Sequence, residues 1–136
     1  MLPAGYGTFP ARPRLLLAWD GSPHSSRAMH DALPLFKKGQ SLRVITISPE
    51  EEGPDRLQYK ALLMEHLRRH NVHVANHLVV HGKRSHGAVI KKHLDPKKVD
   101  ALVMGAYTHS PWFEFLFGGA TQSIVLSSAV PVLLSH

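Results

Sequence analysis

A glycine ends an apolar run at Val99-Asp100-Ala101-Leu102-Val103-Met104-Gly105, and a glycine pair, Gly118-Gly119, follows after a turn-rich loop and an aromatic run. Ala120, Thr121 and an apolar-periodic segment to Ser128 come next. The order is strand, glycine, loop, glycine pair, helix, which is how α/β proteins build anion sites. Glycine lets backbone N–H groups approach a phosphate, and the helix N-terminus adds the positive end of its dipole. Neither G-x-G-x-x-G nor G-x-x-x-x-G-K-[ST] is present. A second candidate is Asp20-Gly21-Ser22, after the apolar run Arg14 to Trp19. Its carboxylate could hydrogen-bond a base or ribose edge, help hold Mg²⁺, or satisfy the N–H groups of the following turn.

Other chemistry has less support. His66 and His70 stand i, i+4 on a helical stretch and could chelate, but Leu67 replaces the glutamate of H-E-x-x-H. His73, His77 and His81 fall on a strand, at steps of roughly 13 Å, too far to share a metal. There is no cysteine, hence no disulfide or thiolate site, and no metal site is expected. No G-x-S-x-G elbow and no P-loop lysine occur, and no base has a supporting partner, so catalysis beyond slow ATP hydrolysis is not expected.

These residues need a scaffold. The first strand is Arg14 to Asp20, apolar without alternation, as in a strand covered on both faces. Ser22 can cap the first helix and Pro23 suits its first position, while Pro34 should kink or shorten it before Gly39. Leu42 to Ser48 is the second strand. A second helix opens at Asp55, carries Leu57, Ala61, Met64 and Leu67 on one stripe and closes at Asn71. Val72 to Val80 reads as an edge strand, Val74, Leu78 and Val80 facing one way and His73, His77 and His81 the other. A third helix runs from Ser85 to about His93. Ala101 to Met104 is the fourth strand, Gly119 to Ser128 the fourth helix and Pro131 to Ser135 the last strand. Strict alternation predicts an α/β domain with a parallel sheet covered on both faces. Ligands then bind beyond the C-terminal strand ends, where the strand order reverses.

At 136 residues with 43% hydrophobic and 19% charged residues, the chain is one ordinary globular domain, residues 14–136, behind a flexible tail, residues 1–13. No apolar run approaches about 20 residues, and Met1 to Pro13 lacks the apolar core of a signal peptide, so a cytoplasmic protein is expected. The net charge of +6 raises nucleic acid as a partner, but the basic residues are scattered and form no recognition face, so nucleic-acid binding is not expected.

The frame Met104-Gly105-Ala106-Tyr107…Gly118-Gly119 resembles the universal stress proteins, which carry a glycine, two residues, a glycine, nine residues, then a glycine before Ser or Thr. Gly105 and Gly118 fill the first and third positions; Thr108 replaces the second glycine and Gly119 the Ser/Thr. The resemblance covers Arg14 to His136. It implies a single three-layer, doubly wound domain with sheet order 3-2-1-4-5, of the adenine nucleotide alpha-hydrolase-like kind. That order brings Asp20 and Gly105 to one crevice.

It also implies an adenine nucleotide (ATP, ADP or AMP, with Mg²⁺) held by Ala18, Asp20, Ile47, Met104, Gly105, Thr108, Gly118, Gly119, Ala120 and Thr121. Ala18 and Ile47 read equally as core, and Gly105 as a strand-ending turn glycine. Thr108 is strained if its backbone keeps φ > 0. Gly119 removes a hydroxyl from the phosphate site. Glu114 stands where relatives place Lys or Arg, which weakens triphosphate binding in particular. The implied role is a stress-response or regulatory module, a homodimer paired through residues 130–135. A nucleotide-independent, dimeric interaction module is the alternative, with Trp112 and Phe113 as an exposed contact for a protein partner.

Overall fold

The computed structural model describes residues 2, 7–36, 40–48, 54–81, 86–105 and 128–135. Strand β1, Leu15–Ala18, is buried at every position. It feeds a turn in which Gly21 adopts φ +79. Helix α1, Pro23–Ala32, then starts with Pro23 at its first position, and the Ser22 hydroxyl accepts a hydrogen bond from the Ser25 N–H at 3.1 Å. Pro34 ends it: the chain tightens into a 3₁₀ turn, Leu33–Leu35.

Strand β2 is Ser41–Ser48 and helix α2 is Pro54–Arg69. Asn71 closes α2 in the left-handed region, φ 56. The Val72 N–H donates to the Leu67 carbonyl at 2.9 Å and the Asn71 N–H to that of Arg68 at 3.0 Å, a Schellman stop. Strand β3, His73–His81, helix α3, His86–His93, strand β4, Ala101–Gly105, and strand β5, Val132–Ser135, complete the order. The expected fourth helix lies outside the described residues up to residue 127.

All described pairings are parallel, and the sheet runs β3-β2-β1-β4-β5, as expected. Two cores follow from the alternation within strands. Leu15, Leu17, Trp19, Val44 and Val103 face α1 and α2, meeting Ala28, Met29, Leu63 and Leu67. Leu16, Ala18, Ile45, Ile47 and Met104 face α3, meeting Val89, Ile90 and Leu94. A clamp sets the β1–β4 alignment at its lower end. The Arg14 guanidinium donates to both Asp100 oxygens at 2.9 and 2.8 Å, the Arg14 N–H donates to the same carboxylate at 2.6 Å, and the Asp100 N–H donates back to the Arg14 carbonyl at 2.8 Å.

Two details differ from the sequence reading. The α2 stripe is centred on Leu63 and Leu67, whereas Ala61 is exposed and Met64 only half-buried. In β3, the register steps from Leu42 opposite Val74 to Arg43 opposite Asn76, leaving Ala75 as a bulge residue. One extra residue swaps faces. Val74 therefore packs with the α1–α2 core, and Leu78 and Val80 with the α3 core. His73 is separated from His77 by the same step, so the three histidines share no face. His77 is drawn instead to the Thr46 hydroxyl at 2.9 Å.

Candidate nucleotide crevice

The order β3-β2-β1-β4-β5 puts the reversal of winding between β1 and β4, and the C-terminal ends of these strands carry the candidate residues. Ala18 and Met104 are register partners on neighbouring strands. Ile47 lies two residues beyond Ile45, the partner of Ala18 on the other side. All three belong to the core facing α3, at 3%, 2% and 4% exposure. The structure thus brings together three residues that only the family resemblance had connected, as a buried apolar cluster at the C-terminal ends of three adjacent strands.

Asp20 follows directly. Its Oδ1 accepts a hydrogen bond from the Ser22 N–H at 2.9 Å, closing the turn before α1. Of the readings left open for Asp20, the turn is thus realised, at the C-terminal end of β1.

Gly105 ends β4 opposite Ser135. A Cβ built on Gly105 would lie 2.6 Å from the His24 carbonyl carbon and 2.8 Å from the Ser25 nitrogen. The missing side chain therefore makes room for the first turn of α1, on the sheet face away from Met104. This is a packing reason for glycine that the sequence did not show.

Thr108, Gly118, Gly119, Ala120 and Thr121 lie outside the described residues, as do Trp112 and Phe113. The described residues therefore include Ala18, Asp20, Ile47, Met104 and Gly105 at the C-terminal strand ends and none of the expected phosphate loop.

The histidine pair that could chelate gains a neighbour. His66 and His70 rings sit 4.6 Å apart between centroids, and His30 of α1 lies 6.3 and 6.2 Å from them. Burial first, then the charges of His70, His30 and Arg69, holds the His66 imidazole below its ordinary value. Among the described residues, no group of three or more His, Asp or Glu is placed to hold a metal ion. No sequence signal could have found His30, because its contact crosses from one helix to another.

Comparison with known proteins agrees with this geometry. The structure is similar to that of hypothetical protein MJ0577, at 19% identity and a TM-score of 0.67, over 93% of this chain and 96% of the other. It is similar to a universal stress protein in complex with cAMP, at 22% identity and 0.61, over 93% and 98% of the two chains. A universal stress protein from Archaeoglobus fulgidus in complex with dAMP follows at 17% identity and 0.59, over 93% and 100%. Comparison with the curated proteins gives no match. The sequence model of the universal stress protein family matches residues 12–136, a span that takes in every described strand and helix. With the sheet order and that match in agreement, the chain belongs to the universal stress protein family.

Proposed function

We propose that this domain is a non-enzymatic regulatory module that holds or senses an adenine nucleotide at the C-terminal edge of its sheet. The observation that carries the reading is the convergence of Ala18, Ile47 and Met104 into one buried apolar cluster beside the Asp20 turn, at the reversal of winding. Such a buried cluster would form the apolar floor under a planar base, and the carboxylate suits a ribose hydroxyl or base amine. The cAMP and dAMP complexes of related proteins support the same ligand class. Gly105 and the loop from Thr108 to Thr121, including Gly118, Gly119 and Ala120, would take the ribose and phosphates, with Mg²⁺ accompanying a di- or triphosphate. The module acts as a cytoplasmic homodimer joined through residues 130–135.

The test is direct. Purified protein is denatured and the supernatant analysed by mass spectrometry, with AMP, ADP or ATP expected. Saturating nucleotide should also raise the melting temperature, by about 2.7 kcal/mol of linkage at one hundred times Kd. No released nucleotide and no thermal shift with any adenine nucleotide would defeat the reading.

A second reading then takes its place: a nucleotide-independent interaction module, with Trp112 and Phe113 as its contact for a protein partner. One observation favours it. Asp20 already serves the turn and Gly105 already serves helix packing, so neither requires a ligand to explain its presence.

A further inference from the structure

The sheet face opposite the nucleotide crevice has an opening of its own. Between α1 and α2 lies a cavity of about 620 Å³, within the range of small-molecule sites. Its floor is apolar, made by buried Trp19, Met29 and Leu63. Tyr59 and Leu62 line it while remaining 51% and 59% exposed. Apart from Leu2, they are the exposed large hydrophobics among the described residues. Large apolar side chains left in water around an apolar floor are the anatomy of a binding site rather than of a finished core.

The polar edge is one-sided. Arg27, His30 and His66 line the cavity, and among the described residues no carboxylate does. His66 Nε2 is buried and has no hydrogen-bond partner among the described residues. An unsatisfied buried nitrogen is costly, and a ligand oxygen would satisfy it. The groups whose charge bears on His66 are His70, His30 and Arg69, all of them bases, so an anionic group arriving there meets no opposing carboxylate among them. The cavity is not lined by Ala18, Ile47 or Met104, which face α3, and it meets the Asp20 turn only through Trp19 and Gly21.

We propose that the α1–α2 cavity binds a small amphipathic carboxylic acid, its apolar body against Trp19, Met29 and Leu63 and its carboxylate at the Arg27–His30–His66 edge. This site is independent of the nucleotide reading and stands or falls separately.

The full chain is titrated with phenylbutyrate and, in parallel, with phenylbutanol, which keeps the apolar body and loses the charge. Calorimetry gives the affinities, and NMR of the Trp19 indole and Met29 methyl reports the place. Expected are saturable one-to-one binding of the acid, at least about ten-fold tighter than the alcohol, and perturbation of both reporters. Leu62→Glu, a change at an exposed position, should abolish acid binding with an unchanged melting curve. His66→Phe should weaken the acid several-fold and leave the alcohol as it was. Should Leu62→Glu disturb folding, Arg27→Glu provides the same test from α1. No saturable binding of the acid, equal affinity for acid and alcohol, or acid binding that persists in a folded Leu62→Glu or Arg27→Glu variant would each overturn the proposal.

Discussion

At the residue scale, Asp20 and Gly105 each have a structural duty separate from the ligand proposed for them. Asp20 Oδ1 closes the turn with the Ser22 N–H, and that duty needs an acceptor, not a charge. Asp20→Asn keeps the acceptor, so it should leave the urea midpoint nearly unchanged. Asp20→Ala removes it and should cost about 1 kcal/mol. If the carboxylate also binds nucleotide, both variants should lose affinity by calorimetry; an Asn variant that binds as wild type would confine Asp20 to the turn. Gly105→Ala separates packing from binding in another way. Its Cβ would fall 2.6 Å from the His24 backbone, which flexible side chains cannot relieve. A destabilisation of about 1–3 kcal/mol is expected in urea unfolding, as for other overpacked cores. Unchanged stability would show that α1 can slide.

At the element scale, the strands were legible because their signal is redundant. Leu15 to Trp19, Leu42 to Ile47 and Ala101 to Met104 are apolar on both faces, and glycine or Pro-rich turns bound them. Ser22-Pro23 and Pro34 likewise announce the ends of α1 by mechanisms internal to a few residues. The bulge at Ala75 was not legible. A one-residue slip leaves the apolar spacing of β3 intact and appears only against β2. The candidate site divides along the same line. Asp20 and Gly105 could be picked from turn chemistry, whereas Ala18, Ile47 and Met104 read as core and are core, and only the strand order sets them together at the C-terminal edge. The packing of α1 on α2 is also a matter between elements, and it carries a pH dependence. The His66 imidazole is held below its ordinary value of 6.5 by burial and by His70, His30 and Arg69. Glu65, the acidic neighbour on α2, is taken up by Arg68 and Arg69 at 2.9 Å, which hold its carboxyl down at about 2. A histidine with a lowered folded-state pKa adds stability above its unfolded pKa and loses it as pH falls through the folded one. The melting temperature should therefore fall on acidification below about pH 6.5, and His66→Gln should flatten that slope. A parallel fall in the variant would assign the effect to other groups, His93 among them, whose imidazole is also held low by burial.

At the scale of the whole molecule, the two ends of the sheet are finished differently. At one end β3 carries His73, His77 and His81 among half-buried aliphatics, and its bulge bends the edge. At the other, β5 carries Val132, Leu133, Leu134 and Ser135 with no charged side chain. Val132 is buried, while Leu133 and Leu134 are half-buried, one against each core. α1 reaches the strand's far end, where the Ser135 hydroxyl donates to the Asp31 carboxylate. An uncharged apolar edge is a liability unless something pairs with it. The pairing that closes it without leaving a further open edge is with a second copy of itself, antiparallel about a two-fold axis. The domain is therefore expected to sediment as a dimer at micromolar concentration. Leu133→Lys places a charge on the edge while its aliphatic stem can still cover the α1 side of the core. It should convert the dimer to a monomer, or to an insoluble protein if the unpaired edge is recruited elsewhere. A wild-type protein that sediments as a monomer while the β5 amides stay protected from hydrogen exchange would mean that the chain covers its own edge. The first thirteen residues would then be the segment to delete, with loss of that protection as the expected result.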